Sequence, residues 1–316
     1  MMMNFEVKDR IKCTFNIYSQ TGNIMTTGSA IILFFLRLLN AKKFFANQFT
    51  NPPRGAGNFK KEKFGSQFHT ESWTVEGFDV ITIKSSASQS HQHIIFFHGG
   101  AYAVEASAIH RQIVKAFVLK HGFTVTFIDY PKAPEHTFET THRVILEAYQ
   151  DVLMKNLSDE ILFFGDSAGG GLALSFLQVL RDKKVIPLPT KTVLMSPWVD
   201  VTMGNKKISE YESKDPILTV EGLVAAGKRY AGSGDPKNPL ISPIYGDLSG
   251  LGSIQVFAGT NEIFYPDCIY LAEKLEQAPG SSIELIVEPG MIHDWIIMPT
   301  SESKKAISQM VEFYRN

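Results

Sequence analysis

The stretch Ile161-Leu-Phe-Phe-Gly165-Asp166-Ser167-Ala168-Gly169-Gly170-Gly171-Leu172 constrains this chain more than any other. Its apolar residues read as a buried strand and the residues after Ser167 as the start of a helix, which puts the serine on the corner between them. G-x-S-x-G at such a corner is a nucleophile elbow. The serine sits in a strained conformation, and a side chain two residues before or after it would collide with neighbouring backbone. Gly165 and Gly169 meet that need. The helix expected from Ala168 onward aims its positive end and free N–H groups at the place where negative charge develops during acyl transfer. The pentapeptide alone also permits a plainer role for Ser167, a helix N-cap after a strand, so its context has to decide.

That context is a βαβ series. Continuous apolar strands are expected at 94–97, 124–128, 161–164, 192–195, 254–258 and 283–287, with helices at about 107–120, 139–155, 168–181, 219–230, 266–278 and 303–314. Strands apolar on both faces imply a parallel sheet covered on both sides, with right-handed crossovers. Upstream, period-two patterning gives an antiparallel pair at 72–75 and 78–84, turning at Glu76-Gly77. Residues 29–49 read as one amphipathic helix ending before Asn51-Pro52-Pro53. It is expected to cover the core, Phe34 and Phe35 included; a lid and a membrane-surface helix are the other readings. The alternation pauses at about 202–253, where Asp215-Pro216, Asp235-Pro236, Asn238-Pro239 and Ser242-Pro243 mark a long insertion of the kind that often forms a lid.

A formal charge of −1 with mixed signs leaves no electrostatic footprint for nucleic acid or an anionic membrane, and favours a small, neutral or modestly polar substrate. Cys13 and Cys268 lie far apart without metal-ligand spacing, so both are expected as free thiols in a reducing cytoplasm. The apolar run at 30–36 is far short of the roughly 20 residues needed to span a bilayer, and it follows acidic Glu6 and Asp9, unlike a secretory signal.

Open α/β sheets bind ligands beyond the carboxyl ends of their strands. After the strand at 94–97 comes His98-Gly99-Gly100-Ala101-Tyr102, whose glycines let backbone N–H groups approach a ligand. Beside an elbow, Gly99 and Gly100 read with Ala168 as an oxyanion hole, and His98 as a brace for the turn. After the strands at 254–258 and 283–287 come Glu262 and His293. Ser167, Glu262, His293 is the chain order of an α/β-hydrolase triad, in which the carboxylate fixes the tautomer of the imidazole that takes the serine proton.

His98-Gly-Gly-Ala-Tyr102, Tyr130-Pro-Lys-Ala-Pro-Glu-His136, Gly165-Asp-Ser-Ala-Gly-Gly170, Ser196-Pro-Trp-Val-Asp200 and Gly290-Met-Ile-His293 resemble the signature segments of the hormone-sensitive-lipase-like esterases, a branch of the α/β-hydrolase superfamily. The resemblance runs from about residue 70 onward. It implies an α/β-hydrolase fold with a mostly parallel eight-stranded sheet flanked by helices. It also implies a helical cap, built from an N-terminal segment at 1–65 and from the insertion at 202–253 of a catalytic domain at 66–316. Two departures stand out: Ala101 replaces the usual third glycine, and Glu262 stands where Asp is common, with Asp267 as the fallback acid. The family reading gives Asp166 a supporting role at the elbow with a place in the substrate pocket, and Tyr102 a place lining that pocket. Asp200 and Asp215 read as structural.

The expected reaction is hydrolysis of small, short-chain acyl esters through an acyl-Ser167 intermediate, without metal or cofactor. Amide hydrolysis by the same machinery is the alternative; a binding-only hydrolase fold would be expected to lack a triad residue. No nucleic acid or membrane partner is expected, and a homodimer is left open. Because His293 must be neutral, activity should rise with pH through about 6 to 7.

Overall fold

The structure, a computed structural model, describes residues 25–87 and 91–316; Cys13, Glu6 and Asp9 lie outside the described residues. Two helices, α1 (Thr27–Leu38) and α2 (Ala41–Thr50), precede the antiparallel strands β1 (Phe68–Val75) and β2 (Phe78–Ser85). An alternating series follows: β3 (Gln92–Phe97), α3 (Ala108–His121), β4 (Thr124–Ile128), α4 (Phe138–Lys155), β5 (Glu160–Asp166), α5 (Ala168–Asp182) and β6 (Lys191–Met195). The insertion carries the single-turn α6 (Ser209–Glu212) and α7 (Val220–Ala231), after which come β7 (Gly252–Gly259), α8 (Tyr265–Glu276), β8 (Ser281–Glu288) and α9 (Ser301–Arg315).

The eight strands form one sheet in the order β1-β2-β4-β3-β5-β6-β7-β8. β2 is antiparallel to both β1 and β4, and all other neighbours are parallel. Alternation along β3 and β5 explains why these strands are apolar throughout. Ile95, Phe97, Ile161 and Phe163 pack with Tyr149 of α4 and Phe176 of α5 on one face. Ile94, Phe96, Leu162 and Phe164 pack with Phe117 of α3 and Tyr314 of α9 on the other. Each such side chain contributes about 1.5–3 kcal/mol by leaving water, so a polar residue at any of these positions would be costly.

The N-terminal region differs from the single helix expected at 29–49. Asn40 adopts the left-handed conformation (φ 50°, ψ 50°) and divides it into two helices. Asparagine enters that region more cheaply than most residues, because its short amide can bond locally. α1 turns Ser29 and Leu33 inward. Phe34 and Phe35, expected in the core, are instead 61% and 51% exposed, since they lie round the helix from Leu33. α2 meets the insertion: Arg229 of α7 donates to the Phe49 and Thr50 carbonyls at 3.0 and 2.8 Å, and Lys42 donates to the Glu212 carbonyl. No helix among the described residues is long and apolar enough to cross a membrane.

Candidate active site

At the carboxyl end of β5 the chain turns through Ser167 at φ 52° and ψ −120°, outside the regions open to most L-residues. Three backbone bonds hold it there. Its N–H donates to the Met195 carbonyl at 2.8 Å, and its carbonyl accepts from Trp198 N–H at 2.8 Å and Gly171 N–H at 3.1 Å. The flanking glycines are needed for space: a Cβ on Gly165 would stand 2.4 Å from the Gly169 carbonyl oxygen, and one on Gly169 would stand 2.0 Å from the Phe97 carbonyl oxygen. Although Ser167 occupies the N-cap position of α5, its side chain caps nothing. Oγ lies 3.0 Å from His293 Nε2 instead. The plainer N-cap role therefore has no support in the geometry.

His293 sits in the loop after β8, buried, with the Phe264 ring edge-on at 5.1 Å. Its Nδ1 lies 3.1 Å from Glu262 Oε2, and Oε1 of Glu262 accepts from Gly259 N–H at 2.7 Å. The structure thus brings Ser167, His293 and Glu262 into one hydrogen-bonded row. Asp267, the fallback acid, lies on α8 and accepts from Asn205 at 2.9 Å; it makes no bond to His293. Burial alone would favour neutral His293, but the adjacent carboxylates of Asp294 and Glu262 outweigh it and lift the imidazole well above its ordinary value. An imidazole so placed keeps its proton to higher pH than an isolated histidine. Burial also raises Glu262, against the lowering effect of His293.

The His98-Gly-Gly turn lies against the elbow. A Cβ on Gly99 would come within 3.0 Å of Ser167 Cβ and 2.3 Å of Asp166 Oδ2, and Gly100 takes φ 119°. Ala168 begins α5 directly after the nucleophile. His98 braces the turn: Nδ1–H donates to the Gly99 carbonyl at 2.6 Å, the ring stacks on Tyr130, and burial holds it well below its ordinary value, hence neutral. The Tyr130–His136 segment earns its place as a buttress. The Tyr130 hydroxyl donates to the His98 carbonyl at 2.6 Å, and Ala133 N–H donates to the Tyr102 carbonyl at 2.8 Å.

The two side chains expected to line the pocket are both buried. Tyr102 is fully buried and stacks face to face on Tyr230 at 3.8 Å, with Trp198 alongside, so it is a wall of the core under α5. Asp166 is buried beneath the turn, 3.1 Å from His110 Nε2.

Residues the motifs did not reveal complete the site. Asp215, in the insertion, accepts from the N–H groups of Ile217, Leu218 and Ile263, the last of which follows Glu262. Arg54 donates to the carbonyls of Ala103 and Ala133 while paired with Glu135. Asp294 reaches back to His293. Asp294 carried a sequence signal in its adjacency to the histidine, and Asp215, read as structural, in the Asp-Pro pair of the insertion. Among the described residues no group of three or more His, Cys, Asp or Glu side chains is arranged to hold a metal.

Comparisons with known proteins agree with this fold. The model of a family described as having the alpha/beta hydrolase fold matches residues 94–297. The chain is 31% identical to an acetyl-hydrolase of Streptomyces hygroscopicus, over 72% of this chain and 77% of that protein. It is 31% identical to an esterase of Acinetobacter venetianus, over 73% and 77% of the two. The crystal structure of an esterase from the bacterial hormone-sensitive lipase family superposes with a TM-score of 0.77 at 27% identity, covering 93% of this chain and 99% of that one. The chain belongs to the alpha/beta-hydrolase family, in its hormone-sensitive-lipase-like branch.

Proposed function

We propose that the protein is a serine carboxylesterase that hydrolyses small esters of short acyl groups. The observation that carries this reading is the row Glu262–His293–Ser167, with contacts of 3.1 and 3.0 Å. His293 Nε2 takes the Ser167 proton as Oγ attacks the ester carbonyl carbon, and Glu262 holds the opposite nitrogen. The N–H groups of Gly99, Gly100 and Ala168 receive the oxyanion. Nε2–H then protonates the departing alcohol, and water, activated by the same histidine, releases the acid from acyl-Ser167.

The described part of the segment up to about 65, from residue 25, and the insertion at 202–253 act as one cap over the rest of the catalytic domain at 66–316. The bonds from Arg229 and Lys42 between α2 and the insertion support this. The acetyl-hydrolase relative supports a short acyl group. The unbridged thiol of Cys268 suits a cytoplasmic location.

The test is the initial rate on p-nitrophenyl acetate, butyrate, octanoate and palmitate. Turnover should fall with chain length, and Ser167→Ala should lower kcat by about a million-fold, as in other triads. Undiminished hydrolysis by Ser167→Ala would remove the mechanism, and palmitate as the best substrate would remove the short-acyl assignment.

A further inference from the structure

A second carboxylate touches the catalytic imidazole. Asp294 Oδ2 lies 3.1 Å from His293 Nε2, the nitrogen that Ser167 Oγ approaches at 3.0 Å. Consecutive side chains in extended backbone point apart. Here Asp294 takes φ 54° and ψ 31°, and its N–H donates to Ser196 Oγ at 3.3 Å, which folds the carboxylate back over the ring. The other oxygen, Oδ1, is buried and makes no hydrogen bond among the described residues, so His293 is the group this side chain faces.

An imidazole nitrogen offers one in-plane direction, occupied by a lone pair or by N–H. Ser167 Oγ takes that direction at 3.0 Å, and the Asp294 carboxylate stands beside it in ion-pair contact. A proton on Nε2 gains that charge contact, and while it stays there no lone pair is free to activate Ser167. The surrounding charges favour keeping it. Glu262 lies on Nδ1, Asp215 acts on His293 from the insertion, and Asp166, paired with His110 at 3.1 Å, faces Asp294 from β5. Among the described residues, His110 of α3 also acts on Asp294.

We propose that Asp294 is a positioning residue whose carboxylate, beside Nε2 of His293, holds a proton there by charge, so that the resting enzyme becomes active only when that proton is lost. The assignment rests on the proposed esterase mechanism. In the forward step the Ser167 proton passes to Nε2 as the Oγ–carbon bond forms. The Asp294 carboxylate then faces the imidazolium until the Nε2 proton goes to the departing alkoxide. The same contact that delays activation therefore stabilises the imidazolium of the tetrahedral intermediate.

The experiment follows the rate at which a fluorophosphonate labels Ser167 from pH 5 to 9, in the unsubstituted protein, Asp294→Asn and Asp294→Glu, with Ser167→Ala as control. An opposite charge within 4–6 Å shifts a titration by about 1–3 units. The rising limb of the unsubstituted protein should thus be centred above the ordinary histidine value, and that of Asp294→Asn about one unit or more lower. At pH 6 the Asn variant should then reach a roughly ten-fold larger fraction of its plateau. Asp294→Glu should move the limb back toward the original. Coincident limbs for the original and Asn proteins would overturn the assignment while leaving the triad in place. Labelling that persists in Ser167→Ala would remove both readings. Should Asp294→Asn not fold, the unsubstituted protein decides alone: a limb centred at or below pH 6.5, the ordinary histidine value, overturns the proposal.

Discussion

Ala101 and Tyr102 both sit in the left-handed region, at φ 54° and 57°, in the turn that supports Gly99 and Gly100. A non-glycine residue there costs roughly 1–2 kcal/mol, which a glycine at position 101 would recover. Against that stand about 0.4–1 kcal/mol of unfolded-chain entropy and about 0.8 kcal/mol for the buried methyl. The sums nearly cancel. Ala101→Gly should therefore leave stability within about 0.5 kcal/mol, whereas a buried alanine in helix or strand would lose more; a urea midpoint showing a loss of about 2 kcal/mol would contradict the strain argument. At this scale the row of Ser167, His293 and Glu262 was legible because each follows a strand whose composition is unambiguous. Tyr102 was not, since its stack on Tyr230 joins residues 128 positions apart, nor was Asp294, whose approach to the imidazole depends on a left-handed turn.

The elements show a similar division. Strands and helices from β3 onward follow the period of their apolar residues, whereas the break at Asn40 carries no Gly or Pro to announce it. Where α1 begins, a long-range clamp replaces local signals. Glu302 at the start of α9 accepts from Thr26 N–H and Thr26 Oγ1, both at 3.0 Å. Burial raises this carboxyl, but the N–H groups of Thr26 and Glu302 and the hydroxyls of Thr26 and Ser301 outweigh it and bring it down to about 2. A depressed carboxylate stabilises the fold above its unfolded value near 4.3, and that stabilisation is lost as pH falls through its folded value. The difference in unfolding free energy between the unsubstituted protein and Glu302→Gln should thus be full at pH 6 and shrink from about pH 4 to 2. Urea unfolding at several pH values checks this, and a pH-independent difference would mean that α1 is held by packing alone.

For the whole molecule, the sheet could be read in advance because every central strand is buried on both faces, while the seat of the insertion on the sheet could not. The insertion is attached by apolar packing, as in the stack of Tyr230 on Tyr102, and by polar contacts between residues far apart in sequence, such as Arg229 to Phe49 and Asp215 to Ile263. The last of these ties the insertion to the catalytic row. Asp215 is fully buried and satisfies three backbone N–H groups, those of Ile217 at 2.8 Å, Leu218 at 3.0 Å and Ile263 at 3.0 Å. Removing it leaves three donors without an acceptor, and the two buried ones, of Leu218 and Ile263, are each worth about 1–3 kcal/mol, offset in part by no longer burying a charge. Asp215→Ala should accordingly cost about 2 kcal/mol or more. Because Ile263 follows Glu262, the same change frees the acid that orients His293, so kcat should fall by more than KM rises. Trp198 and Trp295 are both buried, in the segments after β6 and after His293, so their fluorescence follows the core beside the site directly. If the insertion and the sheet form one cooperative unit, fluorescence and activity should be lost in a single urea transition, shifted to lower urea in the variant. An activity loss well before the fluorescence change in the unsubstituted protein would show that the insertion detaches on its own, and an unshifted midpoint in Asp215→Ala would remove it as the link between insertion and triad.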